Sequence, residues 1–282
     1  MSNLVIEGVS KNYGSTRALN NVNVTFEAEK IYGLLGRNGA GKTTLLNIIN
    51  NRIFADMGEI TLGGAKAPEN EEVQKKFYYT SEQMLFPKEM KVDKAIKWTA
   101  EFYPAFDTDY ALHLASLFEL PLKKKINSLS TGYKTIMKNV LALSVNTPYV
   151  FLDEPVLGLD ANHREQFYRL LIEKYSNNPA TYVISTHLIE EVANIIEEVV
   201  IIKKGEIIKQ DSKENLLSEG YAVSGVASMV DSYMKGKTVI GVDSLGGLKS
   251  AYILGSPDHE LEMGLEISSL DLQKLFIQLT NS

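Results

Sequence analysis

The chain lacks cysteine altogether and has only one tryptophan in 282 residues. Without cysteine there is no disulfide and no thiolate metal site, so stability has to come from packing, and a reducing compartment such as the cytosol is expected. Long hydrophobic runs are also missing. No apolar stretch approaches the roughly 18 residues that a membrane-spanning helix needs, so any service to a membrane is expected from outside the bilayer. The opening MSNLVIEGVSKNYG lacks the cationic-then-apolar form of a secretory leader. Nor is there a basic surplus: 29 Lys and Arg stand against 35 Asp and Glu, a formal net charge of -6. That balance argues against a general nucleic-acid binder, and the run Lys123-Lys124-Lys125 reads as a solvated loop.

What is present is an alternation of short β-branched segments with helical periods. Residues 3–9, 22–27 and 58–63 read as strands of a sheet beside a glycine-rich stretch, and residues 30–35 as a strand running directly into it. From Lys42 the apolar residues Leu45, Leu46, Ile48, Ile49 and Ile53 keep helical spacing. Residues 91–120 carry two more helical patterns, broken near Pro104 and closed by Pro121. Strands at 149–152, 181–185 and 198–203 then alternate with helices at about 161–175 and 188–197. That order implies a mostly parallel sheet covered on both faces, an α/β fold. Residues 211–282 read as a small C-terminal α+β appendage, in which Ser256, Pro257, Asp258 and His259 make a turn and His259 has no catalytic partner.

The stretch Gly36-Arg37-Asn38-Gly39-Ala40-Gly41-Lys42-Thr43-Thr44 fits G-x-x-x-x-G-K-[ST] between a strand and a helix. Side chains are given up there so that main-chain N–H groups can reach phosphate oxygens. Lys42 opens the helix, where the macrodipole already favours an anion, and would bridge the β- and γ-phosphates, while the Thr43 hydroxyl takes one Mg²⁺ position. In YVFLDEP, residues 149–155, four apolar residues precede two carboxylates, as at the end of a buried parallel strand. Asp153 would hold Mg²⁺, and Glu154 would orient and polarise the attacking water. No N-K-x-D element is present to read guanine, so ATP is the expected nucleotide.

SLSTGYK (128–134), VFLDEP, VLGLD and ISTHLIEEV follow one another in an order that resembles the nucleotide-binding subunit of an ATP-binding cassette (ABC) transporter, over about residues 3–210. The resemblance implies a P-loop NTPase of ABC type, with the cassette over 1–210 and a helical insert at about 84–140. It implies ATP hydrolysis with Mg²⁺, a second nucleotide-binding subunit (identical or related) and integral membrane subunits, at the cytoplasmic face of the cell membrane. Two subunits would face each other head to tail, so Ser130 and Gly132 would serve the partner's nucleotide and Asp160 would communicate across the pair. His187 would contact the γ-phosphate, and Tyr13, in KNYGSTRAL, would stack on adenine.

Two features depart from the family pattern. Thr131 and Tyr133 stand where a second glycine and a glutamine are usual. Counting back from LFP (85–87) places the family's Mg²⁺-binding and coupling glutamine on Ser81, whereas Gln83 lies two residues on. Either Gln83 takes that role by displacement or the chain lacks the glutamine. WTAEFYPAFDTDYALHLASLFEL and SLGGLKSAYILG further resemble a bacterial subgroup that exports antibiotics, lantibiotics or amphipathic peptides, a phenol-soluble-modulin exporter among them. Two other readings use the same residues: an ATP-gated dimerising clamp with little sustained hydrolysis, and a soluble cassette acting on ribosomes or DNA, which the single cassette and acidic balance disfavour.

Overall fold

The computed structural model describes residues 2–258 and 262–281. Six strands form the central sheet, in the order Glu206–Ser212, Glu198–Lys203, Ile31–Leu35, Thr181–Thr186, Tyr149–Asp153 and Phe77–Thr80. All neighbours run parallel except Glu206–Ser212, which pairs antiparallel with Glu198–Lys203. The inner strands are buried along nearly their whole length because both faces are covered, as parallel sheets require. Alternate residues divide between two cores. Tyr32, Leu34, Phe151, Val183 and Val200 pack against Leu45, Leu46 and Ile49 of the helix Lys42–Ile49 and against a second sheet. Val150, Leu152, Ile184 and Ile201 face the helical side.

The second sheet is antiparallel, in the order Thr16–Phe26, Leu4–Tyr13, Met57–Leu62 and Ala65–Lys66. The helical side is built from Val92–Phe102, Thr108–Leu117, Thr131–Ser144 and Ala161–Asn177. Three of these start on side-chain caps, Asp107 accepting from Tyr110 N, Ser130 from Tyr133 N and Asp160 from His163 N, each quenching an orphan donor of the first turn. Two elements differ from their sequence patterns. The helix expected over 188–197 lasts only for Ile189–Val192. The chain then turns so that the Glu197 carboxylate can accept from Ile31 N at 3.0 Å and from the Tyr175 hydroxyl at 2.9 Å. The strand Phe77–Thr80 is too short and too uniformly buried to show a period.

Towards the C-terminus a third sheet runs in the order Thr238–Leu245, Leu248–Leu254, Gly220–Val226 and Leu265–Ser269, with helices Lys213–Ser218, Ala227–Tyr233 and Leu272–Asn281. Tyr221, Val223, Val230 and Ile253 make a small core of their own. The opposite faces do not end at solvent: Ala222, Tyr252, Leu272, Leu275 and Phe276 join the main helical-side core. His259 lies outside the described residues.

Candidate functional site

The strand Ile31–Leu35 delivers the chain to the glycine loop, and Leu45 N donates to Gly41 O at 2.9 Å as the following helix begins. Gly41 has φ 112°, and a Cβ there would stand 2.7 Å from the carbonyl oxygen of Ala18, so only glycine fits this tight turn. The Lys42 ammonium turns back into the loop, donating to Gly36 O at 2.6 Å and Arg37 O at 3.4 Å. The side chain is 6% exposed. Burial lowers its pKa below the ordinary lysine value, opposed by the charges of Glu154 and Asp153.

Asp153, 5% exposed, ends its strand inside this mouth. Its Oδ2 accepts from Thr43 Oγ1 at 2.7 Å and from the Tyr79 hydroxyl at 3.4 Å, and its Oδ1 accepts from Ser185 Oγ at 2.7 Å. Burial, then the Asp153 charge, raise the pKa of Tyr79, keeping it a donor. Glu154 follows at φ 49°. Its N–H donates to Ser185 O at 2.8 Å, its Oε2 accepts from Thr186 Oγ1 at 3.1 Å, and its Oε1 lies 2.8 Å from His187 Nδ1. With Nδ1 donating to the carboxylate, Nε2 of His187 is left to face a ligand.

These groups surround a cavity of about 470 Å³, lined by Asn38, Gly39, Ala40, Gly41, Lys42, Thr43, Thr44, Asp153, Glu154 and His187, together with Ala18, Glu82 and Leu157. Gly36 and Arg37 lie behind the loop: a Cβ on Gly36 would stand 2.7 Å from Ile202 O, and Arg37 lines a separate hollow beside Lys203 and Thr280. Tyr13, 51% exposed, lies outside the cavity wall, with the Lys11 ammonium 5.8 Å from its ring centre. Ser130 caps the helix Thr131–Ser144, accepting from Tyr133 N at 3.2 Å. Neither Ser130 nor Gly132 nor Asp160 lines this chain's own cavity. Asp160 also holds His163 Nδ1 at 2.9 Å, and the hydrogen bond from His163 N, then that from its ring, keep the carboxyl below the usual range.

A hydroxyl beside a carboxylate is a hard-oxygen donor set of the kind Mg²⁺ prefers. Thr43 and Asp153 would hold the ion, which would neutralise charge on the transferring phosphoryl group. Glu82, which lines the cavity, had no sequence signal, since a charged residue in a loop is an ordinary solvated position.

A strand, phosphate loop and helix beside a carboxylate-ended parallel strand define a P-loop nucleotide site. The ABC transporter family model matches residues 19–157. A putative ABC transporter ATP-binding protein from Methanosarcina mazei is 30% identical over 240 residues, covering 80% of this chain and 83% of its own. The chain belongs to this family, as an ATP-binding cassette ATPase. The ATP-binding protein YtrB of Bacillus subtilis is 32% identical over 191 residues, and that match spans 68% of this chain but 65% of YtrB. The linearmycin resistance ATP-binding protein LnrL of Bacillus subtilis is 23% identical over 282 residues, covering 98% of this chain and 88% of its own. Among solved structures, an ATP-binding subunit of an ABC transporter superposes with TM-score 0.67 at 23% identity, over 76% of this chain and 91% of its own. A dimeric bacterial ABC transporter cassette does so with TM-score 0.66 at 24% identity, over 74% and 98%.

Proposed function

We propose that the chain binds and hydrolyses MgATP as the cytoplasmic-face subunit of an ABC exporter, pairing with an identical or related nucleotide-binding subunit and with separate membrane subunits. The observation that carries the reading is the convergence of Lys42, Thr43, Asp153, Glu154 and His187 on one cavity. The loop amides and Lys42 hold the phosphates. Glu154, oriented by Thr186 and the Ser185 carbonyl, takes a proton from the attacking water, and His187 holds the γ-phosphate end. Ser130 and Gly132, at the start of their helix, serve the partner's nucleotide, with Asp160 at the seam and Tyr13 against adenine. Residues 1–210 make the cassette and 211–282 an accessory domain. Among the described residues no helix is long and apolar enough to cross a membrane.

Membrane subunits would dock in an apolar groove of about 460 Å³ between the central sheet and the helical insert. Leu85, Trp98 and Phe102 in its wall are 61%, 44% and 73% exposed, an unusual cluster for a solvated surface. Export of an antibiotic or amphipathic peptide is the direction consistent with a resistance protein such as LnrL. The test is steady-state phosphate release by the purified chain. Turnover abolished by Lys42→Ala is expected; binding of MgATP without Lys42-dependent release would favour the clamp reading, for which Thr131 and Tyr133 in the signature are the motive.

A further inference from the structure

The loop after the strand Phe77–Thr80 touches both the nucleotide cavity and the apolar groove, and its side chains divide between them. Ser81 is 7% exposed, and its hydroxyl accepts from Arg52 Nη1 at 3.1 Å and donates to Gln83 O at 3.2 Å, which directs it inward. Gln83 lines the groove and, with Ser81, Glu82, Thr43 and Asp153, an adjoining hollow of about 550 Å³; of the three loop residues only Glu82 also lines the nucleotide cavity with Lys42. The main chain at this point is held by Lys138, a half-buried residue on the helix Thr131–Ser144. Its ammonium donates to Ser81 O at 2.8 Å and to Glu82 O at 3.4 Å. Among the described residues these two carbonyls are its only hydrogen-bond partners.

An ammonium withdrawn from water costs free energy, and a lysine stem is long enough to reach solvent when nothing holds its end. Here burial lowers the Lys138 pKa while the nearby Glu82 and Asp153 charges oppose that fall. Two carbonyls and two carboxylates thus favour a cation at this point. A charged donor to main-chain carbonyls fixes backbone, whereas a neutral side chain of the same length would only pack.

We propose that Lys138 is a positioning residue of the nucleotide site: its ammonium pins the main chain at Ser81 and Glu82 and thereby holds the Glu82 carboxylate in the cavity wall. On this view Glu82 supplies the polar group expected of Ser81 or Gln83. The inference deepens the ATPase reading and rests on it, but the pinning itself is read without nucleotide.

The test uses the full chain with Lys138→Met, Lys138→Arg and Glu82→Gln. Hydrogen exchange of peptides spanning residues 79–85 and steady-state kcat and KM for ATP are measured for each. Lys138→Met is expected to speed exchange in that loop about tenfold, the scale of one lost charge-assisted hydrogen bond, and to lower kcat about tenfold or more, as small misplacements in active sites do. Lys138→Arg should restore most of both. Glu82→Gln should lower kcat with the loop's exchange unchanged. Loop exchange within twofold of the parent in Lys138→Met overturns the pinning; should that variant fail to fold, Lys138→Arg with exchange no closer to the parent than an unpinned loop does the same. Glu82→Gln with parental kcat overturns the role of Glu82. A parent chain without turnover refutes the ATPase reading instead, and leaves the exchange result to decide the pinning.

Discussion

Glu154 sits at φ 49°, a left-handed conformation that costs a non-glycine residue roughly 1–3 kcal/mol. The surroundings over-determine it: its N–H is tied to Ser185 O, and its two carboxylate oxygens to Thr186 Oγ1 and His187 Nδ1. A carboxylate held this way has no freedom to rotate out of the cavity, which suits a group that must meet a water in one place. Glu154→Gln keeps the shape and loses the base. It should bind MgATP as the parent does while phosphate release falls by at least about 100-fold, the lower range for a general base; parental turnover would remove the assigned role. Lys42→Ala should instead weaken ATP binding itself, read by calorimetry. The loop and the acidic pair were legible because each motif is a local run with its own backbone logic. Glu82 was not, because its place in the cavity is set by long-range contacts from Lys138 and Arg52 to its loop.

The helix Thr131–Ser144 does more than carry the LSTG stretch. Its Thr135 hydroxyl donates to Leu157 O at 2.9 Å and its Asn139 amide to Pro155 O at 2.7 Å, so it holds the chain just beyond Glu154. Gly132 lies against that same chain: a Cβ would stand 2.9 Å from Gly158 O, backbone that cannot move aside cheaply. Gly132→Val should therefore destabilise the fold by about 1–3 kcal/mol, as overpacking does, measured by denaturant unfolding. Ser130 separates cap from function. Ser130→Ala should cost about 1 kcal/mol of stability, and Ser130→Asn should keep the cap. If Ser130 also serves the partner's nucleotide, both lower turnover; parental turnover in Ser130→Asn would reduce it to a cap. The LSTG stretch was legible as a motif, but the helix behind it was not read from a period. The end of the helix expected over 188–197 was not legible, since Glu197 leaves the helical path to satisfy Ile31 and Tyr175, partners far away in sequence.

On the scale of the whole molecule, the C-terminal part is fastened through the principal core. Leu272 and Leu275 are each 2% exposed and Phe276 is 7% exposed, all within the cluster that packs the helical side of the central sheet. Composition at 211–282 shows an α+β appendage, but which of its faces meets the cassette depends on strand register: Tyr221 and Val223 turn to their own core and Ala222 to the shared one. Phe276→Ala should lower global stability by about 3–5 kcal/mol in a single transition, measured by chemical denaturation. A separate low-stability transition would mean that the two parts unfold independently. The cavity of Lys42, Asp153 and Glu154 lacks the Ser130 end of any helix, and in the proposed function a second subunit supplies it. Sedimentation velocity of Glu154→Gln with and without saturating MgATP bears on this directly. The expected result is a shift from monomer to dimer on adding MgATP, abolished when Lys42→Ala is combined with it; a chain that binds MgATP yet remains monomeric would contradict closure by an identical copy.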